Sequence, residues 1–209
     1  MMENDKAIEA LTDIRSMMER SSKFISLSGL TGVFAGIFAL AGAAAAYFYN
    51  PKSFGSVSLI EYLDEGPKTD MLIFYCVDAL LVLVLSVGFG ILLSARKSRK
   101  TGQSVLDKTA VRMLVNLCIP LLTGGIFCIA LLWYGLIGLI APSMLIFYGL
   151  SLINACKYTI GDTRYLGYAE VVLGLICCFF FDFGLLVWAV GFGVFHIAYG
   201  LFMYYTIEK

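Results

Sequence analysis

The chain has 209 residues, 60% of them hydrophobic and only 14% charged, with a mean hydropathy of +0.86. Soluble domains carry about a quarter charged residues, so this composition excludes an ordinary water-soluble fold. Fifteen basic and fifteen acidic side chains cancel, which leaves no field suited to nucleic acid.

Residues 1–23 place Ile8, Leu11, Ile14, Met17 and Met18 at three-to-four spacing with charges elsewhere, which predicts an amphipathic cytoplasmic helix. Such a helix lies in the membrane plane or docks a cytosolic partner. The remainder, 24–209, reads as a transmembrane domain. Since ~20 apolar residues cross a bilayer as a helix, six spans are expected, at about 26–48, 71–94, 113–133, 137–157, 165–182 and 184–207. The apolar runs are continuous rather than alternating, so the fold class is all-α, with the spans arranged in hairpins.

In the first span Ser28, Gly32 and Gly36 recur at steps of four, a face on which another helix can approach closely, in the same chain or in a second copy. Ala41 to Ala46 offers signal-peptidase-like residues, but the preceding segment is too long and too acidic for a short positive leader, so the span is expected to be retained. Asn50-Pro51 ends it. The loop that follows holds Glu61, Asp64, Glu65 and Asp70 without the spacing of a calcium loop and reads as a solvated acidic segment. The second span carries Asp78 about two turns below the outer surface. Arg96, Lys97, Arg99 and Lys100 then sit at the membrane, placed to set topology and to touch anionic headgroups. The third span contains Asn116 and Pro120, where a kink is expected; the fourth ends near Asn154.

Basic residues precede span one, fill the segment between spans two and three and flank the link between spans four and five, while only Lys52 and Lys68 fall on the other side. With six spans this puts both termini in the cytoplasm. Tyr47, Tyr49, Trp133, Tyr134 and Trp188 fall at one headgroup level and Tyr158, Tyr165, Tyr204 and Tyr205 at the other. The six cysteines contain no C-x-x-C pair and do not form a disulfide framework.

Two intramembrane ionisable groups sit in the closing hairpin. Glu170 shares a face with Gly167 and Gly174, and residue counting gives it a shallow cytoplasmic depth like that of Asn116 and Asn154; the three are the candidate polar pocket. His196 counts as deeper, between the packing glycines Gly193 and Gly200, about 8 to 9 Å from Glu170 along the normal at ~1.5 Å per residue. It reads either as a neutral ring bonded to a tyrosine or backbone carbonyl, or as a proton relay. A lone histidine is a poor metal site, so no metal is expected. No phosphate loop, zinc-protease, nucleophile-elbow or dinucleotide motif occurs, so neither an enzyme nor a cofactor is expected.

The stretch Ile14-Arg15-Ser16-Met17-Met18-Glu19-Arg20-Ser21-Ser22-Lys23-Phe24, with Gly191-Phe192-Gly193, His196 and Tyr199-Gly200 near the other end, resembles a family of uncharacterised bacterial multi-pass membrane proteins. Glycine-punctuated helices in hairpins are also similar to the acid-resistance membrane protein family. The first resemblance implies a bacterial inner-membrane location and no activity. The expectation is a non-enzymatic structural, sensory or accessory protein whose cytoplasmic face meets a partner. The alternative is a small transporter or proton-coupled permease using Glu170, Asp78 and His196.

Overall fold

The computed structural model describes residues 29–50, 69–101, 108–159 and 163–208. The expected helix over 1–23, Ser28, the loop acids Glu61, Asp64 and Glu65, and the side chains of Lys97, Arg99 and Lys100 lie outside the described residues; Arg96 is described and exposed.

Among the described residues the fold is all-helical. Helix α1 is Gly29–Tyr49, α2 is Thr69–Thr101, α3 is Lys108–Trp133, α4 is Ile140–Ala155 and α5 is Arg164–Cys177. The last helix, α6, runs α-helical over Gly184–Trp188, π-helical over Ala189–Phe195, α-helical over His196–Met203 and π-helical again over Tyr204–Glu208. Among the described residues five helical stretches are long and apolar enough to cross a membrane: α1, Thr69–Arg96 of α2, α3, Ile137–Tyr158 around α4, and Gly184–Thr206 of α6.

Helix α5 is the exception, with 14 residues, or about 21 Å at 1.5 Å per residue. Reading the span as 165–182 extends it too far. The N–H of Phe179 bonds the Ile176 carbonyl and that of Phe180 bonds the Cys177 carbonyl, so the chain tightens into a turn straight after Cys177.

Helix α1 packs on α2 and on α6, α4 packs on α3 and α5, and α6 touches α1, α4 and α5 and so joins the two groups. Small residues set the closest approaches. A Cβ built on Gly36 would lie 2.6 Å from the Gly193 carbonyl oxygen, and one on Gly32 would lie 3.3 Å from the His196 carbonyl oxygen. In the other group Gly149 and Gly167 face each other reciprocally, each Cβ position within 2.7 Å of the other's carbonyl oxygen. Hydrocarbon gives no hydrophobic drive for helices to associate, so this close van der Waals fit holds the bundle.

The outward surface is apolar. In α2 and α3 only 6% and 11% of the most apolar stretch is buried, against 33% in α1, and Leu80, Val84, Ile91, Leu122, Ile126 and Ile129 are all more than half exposed. Side chains of this kind in such density are compatible with a surface that meets lipid tails.

Candidate functional site

Glu170 sits at the midpoint of α5, on the face that carries Gly167 and Gly174. Those glycines let α5 close onto α4: a Cβ on Gly174 would lie 2.9 Å from the Pro142 carbonyl oxygen. The carboxyl is thereby carried inside the bundle, where Glu170 is 0% exposed. Room for it comes from α6, since a Cβ on Gly191 would lie 2.5 Å from Glu170 Oε2 and equally close to Leu145 of α4. Only glycine fits there.

His196, at the middle of α6, faces the same point. Its Nδ1 is 3.4 Å from Glu170 Oε1, with side-chain exposures of 7% and 0% for the two residues. The same nitrogen is 3.1 Å from the Gly191 carbonyl oxygen, and Nε2 is 2.8 Å from the Tyr148 hydroxyl of α4. A carbonyl can only accept, so in the neutral ring the proton is on Nδ1, and Nε2 accepts from the Tyr148 O–H. Neither oxygen of Glu170 has a hydrogen-bond partner among the described residues. Phe192 stacks on the imidazole at 5.9 Å between centroids and 19° between planes, and it meets the rings of Tyr148 and Trp188 at 5.0 and 5.1 Å. The result is a chain of three proton-bearing groups, Tyr148, His196 and Glu170, drawn from three helices and flanked by aromatic rings.

This geometry differs from the grouping expected from residue counting. That estimate set Glu170 and His196 at different depths because it let the fifth span run to residue 182. With α5 only 14 residues long, Glu170 is at mid-helix, level with His196.

Asn116 and Asn154 have other work. Pro120 has no N–H, so the Asn116 carbonyl, four residues earlier, loses its helical donor. Asn154 Nδ2 donates to that oxygen at 2.7 Å, and Asn116 Nδ2 donates to the Arg112 carbonyl at 2.8 Å. A polar side chain from a neighbouring helix thus restores the bond that proline removed. Asn154→Leu is expected to cost about 1 kcal/mol of stability in detergent, within the ~0.6 to 2 kcal/mol range of interhelical bonds. Pro120→Ala should recover most of it by returning a backbone donor. A double-mutant cycle of thermal unfolding checks this; an equal cost in both backgrounds would contradict it.

Asp78 is also elsewhere. It faces α1, where a Cβ on Gly42 would lie 3.2 Å from its Oδ2. Gly193 and Gly200, which flank His196 in sequence, point their backbones at α1. The structure therefore brings Glu170 and His196 together, joins Asn154 to the Asn116 backbone in a second contact away from them, and sets Asp78 against α1.

Two features of the site escaped the sequence reading. Tyr148 carried a usable signal: it lies near the middle of α4, far from either headgroup level, so its hydroxyl needs a partner inside the bundle. The π-helical segment carried none. Comparison of the chain with family models, curated proteins and solved structures returns no match.

Proposed function

We propose that this is a non-enzymatic, six-span protein of the bacterial inner membrane that acts as a proton-responsive sensory or accessory component. Protonation of the Glu170–His196 pair changes the packing of its helices. The fully buried carboxyl of Glu170, which has no hydrogen bond among the described residues and lies 3.4 Å from an imidazole, carries this reading. Ionisable groups are costly inside a membrane, and where they occur they mark proton relays and ion paths. A pair that holds one proton is neutral overall; loss of that proton leaves it anionic, and an element of the bundle must answer that change. The small-residue faces supply rigid helices through which it spreads, and residues 1–23 with the basic segment after α2 form the face offered to a cytosolic partner and to anionic lipid. α5 makes the sixth crossing together with the turns at its ends. The sequence resemblance to uncharacterised multi-pass proteins supports the location.

The test uses inside-out vesicles. Trypsin cleavage at Arg15, Arg20 and Lys23 is expected to change severalfold in rate between pH 5 and pH 8, after correction for the protease's own pH profile, and Glu170→Gln should flatten that response. A response that is identical in the variant removes the proposal. Reporter fusions at residues 60 and 100 should fall on opposite sides of the membrane, with residue 100 in the cytoplasm.

A second reading, a small proton-coupled permease, is favoured by the line of Tyr148, His196 and Glu170, with 2.8 Å between the hydroxyl and Nε2 and 3.4 Å between Nδ1 and Oε1. It requires proton-driven solute uptake into proteoliposomes that Glu170→Gln abolishes; no uptake across a broad solute panel would remove it.

A further inference from the structure

The segment Ala189–Phe195 lies in α6 between two firmly packed parts. Above it, Gly184–Trp188 rests on α4 and α5; below it, His196–Met203 is locked to α1 through Gly200 and the backbone of Gly32. A π turn holds one residue more per hydrogen-bonded loop than an α turn, has poorer bonds and is rare outside functional sites. Here it is braced by a side chain, since His196 Nδ1 bonds the Gly191 carbonyl from inside that segment. The competing acceptor, Glu170 Oε1, is 3.4 Å from the same nitrogen.

We propose that Ala189–Phe195 is a two-position switch in α6, thrown when the Nδ1–H of His196 leaves the Gly191 carbonyl for the Glu170 carboxylate. The inference rests on the proton-responsive reading above and names its moving part. When Glu170 loses its proton, the donor that faces the carboxylate among the described residues is His196 Nδ1, at 3.4 Å. The imidazole turns to it, the Gly191 carbonyl loses its brace, and the π turn tightens to α register. The proton count balances: one leaves Glu170, and the Nδ1 proton stays on nitrogen and changes only its acceptor. The groups facing the pair are Tyr148 from α4 and, from α6, the Gly191 carbonyl; α1 has no ionisable side chain between Gly29 and Ala46. Tightening by one residue turns Gly184–Trp188 by about 100° and about 1.5 Å relative to His196. This breaks the 5.1 Å contact of Trp188 with Phe192.

The chain has two tryptophans, and Trp133, 86% exposed, is a built-in control. The full-length protein is labelled with 5-fluorotryptophan in nanodiscs and followed by fluorine NMR against pH. Infrared spectra follow the protonated-carboxyl band of Glu170, assigned by its loss in Glu170→Gln. The Trp188 resonance is expected to move with that band while Trp133 stays still. Deleting Val190, or Val194 should the first deletion fail to insert, removes the extra residue. Either deletion should keep the carboxyl titration and hold Trp188 at one position. A still Trp188 beside a titrating Glu170 overturns the switch and leaves the proton-responsive reading standing, as does a deletion in which Trp188 moves as in the wild type. A carboxyl band that never titrates overturns both.

Discussion

Gly200→Leu is expected to pull α1 away from α6 and to cost more than about 3 kcal/mol, at or above the usual range for overpacking. A Cβ at that position would lie 2.6 Å from the Gly29 carbonyl oxygen and 2.6 Å from the Val33 amide nitrogen. Both obstacles are α1 backbone, so no rotamer change relieves the clash; the helices must separate. Once they do, the reciprocal approach at Gly29 is lost as well, where a Cβ would lie 2.5 Å from the Gly200 carbonyl oxygen. Among the described residues the other main neighbour of α1 is α2, itself mostly exposed. Gly88→Leu and Gly125→Leu are the controls: nothing lies within 4 Å of either Cβ position, and both should unfold within about 0.5 kcal/mol of the wild type. Thermal unfolding in detergent, with disulfide trapping between α1 and α6, reads the result. Equal costs at Gly200 and Gly88 would show that close backbone contact does not hold this pair together.

The helices themselves were legible because a bilayer span demands a long uncharged run, and the C-terminal ends of α1 and α3 and both ends of the stretch around α4 fall within a few residues of those read from composition. The glycines at Gly36, Gly167 and Gly200 were legible as small, and the structure supplies what each one meets. Depth was the weak quantity. Counting residues from an assumed interface treats every helix as a full-length span set upright, and α5, with 14 residues, does not satisfy that. Glu170 and His196 were therefore read as separate points although they meet. Asn154 was read as part of a pocket because the sequence shows a polar residue and hides its partner. That partner is a carbonyl freed by Pro120 on another helix. The π turn of α6 depends on hydrogen-bond register, which no residue type in Ala189–Phe195 announces.

The second large effect concerns the pair itself, and it separates fold from function. His196→Ala removes the polar side chain that lies 3.4 Å from the Glu170 carboxyl and also takes the acceptor of the Tyr148 hydroxyl. Leaving a buried hydroxyl without its partner costs about 1 to 3 kcal/mol, and the cavity left by the ring adds to that. The loss should show as a lower unfolding midpoint in detergent. Replacing the site as a unit reverses the expectation. Glu170→Leu and His196→Leu combined with Tyr148→Phe leave no polar atom stranded, and apolar replacements of buried ionic groups are often neutral or stabilising by about 1 to 4 kcal/mol. The triple variant should therefore unfold at or above the wild-type midpoint while losing all pH dependence of trypsin cleavage at Arg15, Arg20 and Lys23. A site that served only to pack the helices would give the opposite: a destabilised triple variant with an unchanged pH response. Stability that survives with the response gone would mean the chain bears the cost of a carboxyl and an imidazole in its core for the protons they exchange, with the three helices that meet there as the parts those protons move.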